Sequence, residues 1–157
     1  MASSDTPAAT PAPPDGPVLF AYDGSELAEL AIEQAGRQLA PGLDALIVCV
    51  WQPGDVGFLP TGKRHFNAAQ ATEVRKAAEE TAAHGAALAE RAGFGPQSVA
   101  TEAAPTWQGI VDIADEHTAS LIVIGSHRRR GLAGHLLGSV AAAVVQHSAV
   151  SVLITHS

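Results

Sequence analysis

The sequence predicts an α/β fold in which helices cover both faces of one open, parallel sheet of five strands. Five short apolar runs alternate along the chain with four longer segments of helical periodicity. Because parallel strands that alternate with helices are joined by right-handed crossovers, this order is typical of a three-layer, Rossmann-like arrangement. Aromatic residues make up only 4% of the chain and alanine is abundant, so we expect the helices to lie close to the sheet.

The chain is long enough for one domain with a complete core, which we assign to residues 17–157. Residues 1–16 are rich in Ala, Pro, Ser and Thr and lack an apolar period, which predicts a disordered tail. The formal net charge of −7 argues against a nucleic-acid partner. No apolar run approaches the roughly 20 residues that span a membrane, and the N-terminus does not resemble a secretory signal. We therefore expect a cytoplasmic protein with no membrane partner.

The first strand and helix place a carboxylate at a strand end. Residues 17–22 form an apolar run that stops at Asp23, and helical spacing begins at Leu27. Asp23 and Glu26 have the spacing of a capping box, which predicts that Asp23 caps the helix. The same carboxylate is placed to accept hydrogen bonds from the base or ribose of a ligand, and the two roles are compatible.

The second strand is predicted at residues 45–51, which are apolar throughout and so covered on both faces. The sole cysteine, Cys49, lies in this run and is expected to be a buried thiol. Residues 57–63 fit the G-x-x-x-x-G-K pattern of a phosphate-binding P-loop, but Arg64 replaces the Ser or Thr that would bind Mg²⁺. We interpret that stretch as an ordinary loop. With one cysteine and scattered histidines, no metal site is predicted.

The middle of the chain continues the alternation of helices and strands. Residues 67–92 carry a stripe of small residues at alternating spacings of three and four, which predicts a long helix packed on the sheet. Residues 98–103 form a weaker third strand, and Thr106 is expected to cap a helix over residues 107–117. The last helix is predicted to start at Gly138, between strands at residues 121–124 and 150–155.

The loop after the fourth strand has the composition of an anion site. Three consecutive arginines stand at residues 128–130, among the glycines Gly125, Gly131, Gly134 and Gly138. A strand, a glycine-rich loop and a helix start together hold phosphate, because glycine lets the backbone approach and the helix start presents N–H groups. The alternative is a solvated surface loop.

The strand order decides whether these two candidate regions meet. Ligands of open parallel sheets bind at the carboxyl ends of the strands, where the strand order reverses. In the order 3-2-1-4-5 that point lies between the first and fourth strands, which end at Asp23 and Gly125. In the order 2-1-3-4-5 it lies between the first and third strands. We favour the first order because it unites the two candidate regions, although the alternation itself is compatible with both.

The stretch from Ile124 to Val140, IGSHRRRGLAGHLLGSV, resembles the nucleotide-binding signature G-x2-G-x9-G-[S/T] of the universal stress protein family. Gly125, Gly138 and Ser139 match the signature, whereas Arg128 stands where its second glycine belongs. The resemblance extends over residues 17–155 and includes the segments AYDGSELAELAIEQA, LIVCV, TASLIVIGSH and LLGSVAAAVVQHSAVSVLI.

The resemblance implies a regulatory protein of the stress response that binds ATP or AMP with little or no turnover, at most weak ATP hydrolysis. The sequence has neither paired carboxylates at a loop mouth nor a Gly-x-Ser-x-Gly elbow, so it does not predict a hydrolytic centre. The carboxylate of Asp23 and the phosphates of a bound nucleotide offer the oxygen ligands that Mg²⁺ prefers, so together they are suited to bind one Mg²⁺ ion. By position, the implied nucleotide contacts are Ala21, Tyr22, Asp23 and Val50 near the base, Ile124 and Gly125 beside the ribose and phosphates, Ser126, His127 and Arg128 in the phosphate loop, and Gly138, Ser139 and Val140 at the helix start.

Three of these assignments have alternatives. Ser139 is equally placed as a plain helix N-cap, and His127 as a loop histidine that faces solvent. Arg128 either neutralises a phosphate or fills the space that the phosphate needs. In the second case the protein is a nucleotide-free universal stress protein that acts through protein–protein interaction. An adenylating enzyme of related fold is disfavoured, because its Ser-Gly-Gly-x-Asp-Ser loop is missing after the first strand.

The resemblance also implies a homodimer, often built by pairing of the last strands. The last strand from Val150 to Ile154 is apolar and no helix follows it. An unpaired apolar edge is a liability in a monomer, which favours the same dimer. Shielding of that edge by neighbouring elements or by the proline-rich tail is the alternative.

Overall fold

The computed structural model describes residues 15–53, 68–127 and 137–157. The predicted tail as far as residue 14, the P-loop-like stretch at residues 57–63 and the three arginines at residues 128–130 lie outside the described residues. The described elements are β1 (Val18–Ala21), α1 (Glu26–Gln38), β2 (Asp44–Trp51), α2 (Ala68–Arg91), β3 (Gly95–Glu102), α3 (Thr106–Glu116), β4 (Leu121–Ser126), α4 (Ser139–His147) and β5 (Val152–His156).

The five strands form one parallel sheet in the order β3-β2-β1-β4-β5. This confirms the favoured strand order and excludes the order 2-1-3-4-5. Val18 of β1 pairs with Ala45 of β2 on one side and with Leu121 of β4 on the other. The order therefore reverses between β1 and β4, and a crevice opens where their carboxyl ends separate.

Each face of the sheet carries its own core, because side chains alternate along the strands. Val18 and Phe20 of β1 pack with α1 and α2, while Leu19 packs with α3 and α4. The central strand is thus covered on both faces, which explains why its sequence is continuously apolar. Cys49 is buried, as predicted.

Small residues let α2 lie close to the sheet, as its stripe predicted. Ala78 of the predicted stripe is buried, and so is Ala82 beside it, which the stripe does not include. A Cβ atom on Gly85 would lie 2.7 Å from a ring carbon of Tyr22 and 2.8 Å from a methyl carbon of Ile47. Any larger side chain at Gly85 would therefore push α2 away from β1 and β2.

All five strands differ in their bounds from the prediction, and the largest differences are in the last three. The third strand begins at Gly95 rather than at residue 98, and the fourth continues to Ser126 because its end pairs with β5. The fifth strand begins at Val152 and not at residue 150. The reason is local: the side-chain hydroxyl of Ser148 accepts from the N–H of Val150 at 3.0 Å and donates to its carbonyl at 3.2 Å.

The capping box that was predicted for Asp23 and Glu26 is wrong. The N-cap of α1 is Ser25, whose hydroxyl accepts from the N–H of Ala28 at 3.2 Å. Gly24 has a φ of +81°, which turns the chain between Asp23 and the helix, so the helix starts two residues later than the box requires. Asp23 instead accepts from the N–H of Ser25 at 3.0 Å.

The predicted cap at Thr106 is also wrong by one position. Pro105 is the N-cap of α3, and Thr106 is the first helical residue. The hydroxyl of Thr106 accepts from the side-chain amide of Gln52 at 3.4 Å, which ties the start of α3 to the residue after β2. None of the helices that the structure describes is both long and apolar enough to cross a membrane.

Candidate functional site

A cavity of about 270 Å³ lies at the carboxyl ends of β1, β2 and β4, at the point where the strand order reverses. We call it the switch-point cavity. It forms here because the chain leaves β1 toward α1 on one face of the sheet and leaves β4 toward α4 on the other. Its described wall consists of Ala21, Tyr22, Asp23, Ser25, Leu27, Ala28, Val48, Val50, Thr106, Ile110, Ile124, Gly125, Gly138, Ser139, Val140 and Ala141.

Most of the predicted site residues are brought together in this wall. They are Ala21, Tyr22, Asp23, Val50, Ile124, Gly125, Gly138, Ser139 and Val140. Ser126 is buried beside the wall without forming part of it, and His127 is exposed, as in its alternative interpretation. Arg128 lies outside the described residues, so the two interpretations of its side chain both stay open.

Part of the wall was missed by sequence reasoning. Val48 lies two residues before Val50 on β2, and period-two alternation places both on one face of the sheet. The alternation in the sequence therefore already indicated that Val48 faces the same side of the sheet as Val50. Thr106 and Ile110 come from α3, whose position depends on the crossover from β3. The sequence signal in that helix was Gly109, an isolated glycine within a helical pattern, which often marks a close contact. In the structure, a Cβ atom on Gly109 would lie 3.0 Å from Cγ1 of Val50.

Gly125 allows α1 and β4 to close one side of the cavity. A Cβ atom on Gly125 would lie 2.7 Å from the carbonyl oxygen of Leu27 and 2.9 Å from its Cγ. Backbone atoms cannot yield at such a distance without a shift of the whole helix. The signature glycine therefore has a packing role in the fold, in addition to any contact with a ligand.

The start of α4 has three backbone donors that lack a partner within the helix, on residues that line the cavity. Gly138 is the N-cap and has no side chain to cap the helix, and the N–H of Ala142 makes the first intrahelical bond to the carbonyl of Gly138 at 2.8 Å. The N–H groups of Ser139, Val140 and Ala141 precede that bond and have no partner within the helix. All three residues line the cavity. The alternative interpretation of Ser139 as the N-cap is wrong, because Ser139 is the first helical residue.

These donors give the cavity a positive side. Aligned peptide dipoles place about half a positive charge at a helix N-terminus, which favours an anion there. Asp23 contributes a carboxylate on the wall formed by the turn between β1 and α1, where it is exposed. Between these two polar features the wall is apolar, with Val48, Ile110 and Ile124 among its members. The geometry fits a ligand with a flat apolar body and an anionic end.

Tyr22 connects the cavity wall with α2. Its hydroxyl is hydrogen-bonded to Nδ1 of His84 at 2.8 Å, and its ring packs against Gly85. Burial, together with the carboxylates of Glu29 and Asp23, raises the pKa of Tyr22 to about 12. The folded state therefore favours the neutral phenol, which supports the wall as a hydrogen-bonded core residue.

Within the described ranges, no group of three His, Cys, Asp or Glu side chains is placed to hold a metal ion. Asp23 is also the only carboxylate in the described wall of the cavity. A cation at this site would accordingly need most of its ligands from the phosphates of a bound molecule or from water.

Residues 16–156 match a family model that is described as "Universal stress protein family". The universal stress protein Rv2005c of Mycobacterium tuberculosis is 33% identical over 151 residues, covering 94% of this chain and 48% of the relative. Mb2028c of Mycobacterium bovis matches to the same extent. The chain thus spans about half the length of these curated relatives.

Two solved structures of similar fold contain nucleotides. The universal stress protein of Archaeoglobus fulgidus in complex with dAMP is 25% identical, with a TM-score of 0.60 over 88% of this chain and 96% of that one. A universal stress protein in complex with cAMP is 26% identical, with a TM-score of 0.56 over 90% and 96% of the two chains. With the family model matching almost its whole length, the chain belongs to the universal stress protein family.

Proposed function

We propose that this chain binds an adenine nucleotide, ATP or AMP, in the switch-point cavity, and that it serves as a regulatory protein of the stress response with little or no turnover. The observation that carries the proposal is the union, in one cavity, of an apolar wall and three N–H groups at the start of α4 that have no partner within the helix. Family members in complex with dAMP and cAMP support the choice of ligand class.

The charges in the wall favour one orientation of the nucleotide. The carboxylate of Asp23 repels phosphate and accepts hydrogen bonds from a base amino group or a ribose hydroxyl. The start of α4 attracts phosphate. We therefore assign the base to the region of Ala21, Tyr22, Asp23 and Val50, and the phosphates to the region of Gly138, Ser139 and Val140. Ile124 and Gly125 lie on the wall between β1 and α4 and are assigned to the ribose and first phosphate.

The low turnover follows from what the cavity wall provides. General acid–base catalysis needs a positioned group near the reacting phosphate, and hydrolysis usually needs charge stabilisation as well. Asp23 is assigned to the nucleoside end, and the hydroxyl of Tyr22 is engaged by His84 on α2. The described wall thus supplies donors that hold a phosphate but no acid–base pair that would cleave it.

Thermal unfolding in the presence of adenosine, AMP and ATP, with and without Mg²⁺, tests the proposal. A ligand at 100 times its dissociation constant stabilises the folded state by about 2.7 kcal/mol, so AMP or ATP should raise the melting temperature clearly. Phosphate release by the wild-type protein should stay at the background rate. Release above background that disappears in Asp23→Ala would establish an enzyme instead.

The Arg128→Gly variant separates nucleotide binding from the nucleotide-free alternative. If the wild-type protein is silent with millimolar nucleotide but Arg128→Gly responds, the arginine blocks the site and the protein acts through protein–protein interaction. If neither protein responds, the cavity does not bind nucleotide. A response of the wild-type protein that Arg128→Gly weakens would show that Arg128 neutralises a phosphate.

We also propose a homodimer formed through the last strand. β5 is an edge strand of the described sheet and pairs only with β4, and its side chains Val152, Leu153 and Ile154 are half-buried. Pairing with β5 of a second copy would satisfy the free backbone groups of this edge. Sedimentation velocity at micromolar concentration should then give the mass of two chains, and a single-chain mass would contradict the proposal.

A further inference from the structure

Ser126 combines deep burial with a polar side chain at the end of β4. It is 2% exposed, and within the described part of the chain only Thr155 is likewise a buried polar residue. Removing a hydroxyl from water is costly unless it gains a hydrogen bond, so its partner is informative. Alternation along β4 places Ser126 on the same face as Ile122 and Ile124, which is the face covered by α4.

The partner of Ser126 is the N-cap of α4. Its Oγ accepts from the backbone N–H of Gly138 at 3.4 Å, across a separation of twelve positions in the chain. A connection of that length does not by itself restrict the distance between the strand end and the helix start. The hydrogen bond does so directly, and it uses the one N–H of the N-cap residue while leaving those of Ser139, Val140 and Ala141 for the cavity.

We propose that Ser126 is a positioning residue for the phosphate end of the bound nucleotide. Its side chain is not part of the described cavity wall, so the proposed role is indirect. By holding Gly138 against the end of β4, it keeps the free N–H groups of α4 aimed at the position of the phosphate. Donors that are fixed before binding lose less entropy when the anion arrives, so their alignment contributes to affinity. This inference depends on the proposed nucleotide site and assigns Ser126 a role within it.

Only the phosphate end of the ligand depends on α4, so the loss of Ser126 should affect AMP and adenosine differently. Ser126→Ala should lower the affinity for AMP about three- to tenfold, as expected for the loss of one hydrogen bond that aligns charge-binding donors. The affinity for adenosine should change less than about twofold, since its recognition by the apolar wall and Asp23 does not involve the helix start.

Thr155→Val is the matched control. Thr155 is 4% exposed, lies in β5 and pairs in register with Gly125, so its replacement also removes a buried hydroxyl close to the site. Leu153, its neighbour two positions earlier, packs on the α1 and α2 face, which places Thr155 on the face opposite α4. Both variants should lower the melting temperature, but only Ser126→Ala should reduce the ratio of AMP to adenosine affinity. Ser126→Thr, which keeps the hydroxyl, should retain the ratio.

Isothermal titration calorimetry of AMP and adenosine into the wild-type protein and these variants measures the ratio well below the melting temperature. Equal weakening of AMP and adenosine in Ser126→Ala, or no change in either, would overturn the positioning role while leaving the proposed function standing. A wild-type protein that binds neither ligand would overturn both.

Amide hydrogen exchange of the ligand-free wild-type protein tests the contact without any substitution. The amide of Gly138 should be protected, because Ser126 accepts from it, and the amide of Ser139 should exchange faster. A Gly138 amide that exchanges as fast as that of Ser139 would refute the role of Ser126 even if Ser126→Ala did not fold.

Discussion

The hydroxyl of Tyr22 lies 2.8 Å from Nδ1 of His84, and this hydrogen bond joins the end of β1 to the middle of α2. The cavity wall and the long helix behind it are therefore coupled through one buried phenol. Tyr22→Phe keeps the ring that packs on Gly85 and removes only the hydroxyl.

We expect Tyr22→Phe to lower the free energy of unfolding by about 1 kcal/mol, the usual net value of one hydrogen bond. The loss should stay modest because His84 is largely exposed and also lies 4.0 Å from the carboxylate of Glu29. Urea denaturation of both proteins measures it. Since His84→Gln retains a polar partner for the phenol, it should cost less, and the opposite ranking would contradict the assigned contact.

The same tyrosine should make stability fall at high pH. Its pKa is raised from 10.0 to about 12, so the folded state favours the neutral phenol. The corresponding stabilisation is complete below pH 10 and is lost as the pH rises through 12. It amounts to at most about 2 to 3 kcal/mol, because the hydroxyl lies beside the exposed His84 and is partly screened by solvent.

Tyr22 is the only tyrosine of the chain, so absorbance of the tyrosinate reports its titration directly. Denaturant unfolding between pH 10 and 12 should show a steeper decline for the wild-type protein than for Tyr22→Phe, which lacks the titrating phenol. Parallel declines, or a tyrosinate transition near pH 10, would show that the phenol is not held neutral in the folded protein.

The two signature glycines should respond differently to alanine. At Gly125 the added Cβ atom would lie 2.7 Å from the carbonyl oxygen of Leu27, whereas at Gly138 it would meet nothing within 4 Å, and neither glycine has a positive φ. We expect Gly125→Ala to cost about 1 to 3 kcal/mol of stability through overpacking, and Gly138→Ala to cost much less. Thermal and urea unfolding of the two variants provides the comparison. Similar losses would mean that α1 does not approach β4 as described.

Much of the fold was accessible from the sequence because the central strands β1, β2 and β4 are buried on both faces. Continuous apolar runs separated by helical periodicity leave few alternatives to a parallel α/β sheet. The strand order was not determined by that pattern, since both 3-2-1-4-5 and 2-1-3-4-5 satisfy it. What decides between them is the pairing of Val18 with both Ala45 and Leu121, contacts between segments far apart in the chain.

The candidate site was predictable where it follows a strand end and less so where it depends on a helix. Asp23 and Gly125 terminate strands, so the sheet itself brings them together. Ile110 comes from α3, and its contact with the cavity depends on how that helix crosses the sheet. The starts of α1 and α3 were misplaced because Asp and Thr are favoured N-caps, whereas the turn at Gly24 and the backbone at Pro105 decide the actual starts.

The assignment of Asp23 to the nucleoside end leads to a last prediction, on ligand selectivity. Asp23→Asn retains an oxygen that accepts from the N–H of Ser25, so the turn between β1 and α1 should persist. It removes the negative charge and replaces one acceptor by a donor. Because this end of the cavity contacts the base or ribose, the affinities for adenosine and AMP should fall by the same factor, about three- to tenfold for one charge-assisted hydrogen bond.

Calorimetry of Asp23→Asn with both ligands, beside Ser126→Ala, measures this contrast. Loss at the nucleoside end lowers both affinities together, while loss at the phosphate end lowers that of AMP alone. If Asp23→Asn instead strengthened AMP binding and left adenosine unchanged, the removed charge would lie close to the bound phosphate. The nucleotide would then lie in the reverse orientation, with its phosphate beside the turn of β1 and α1.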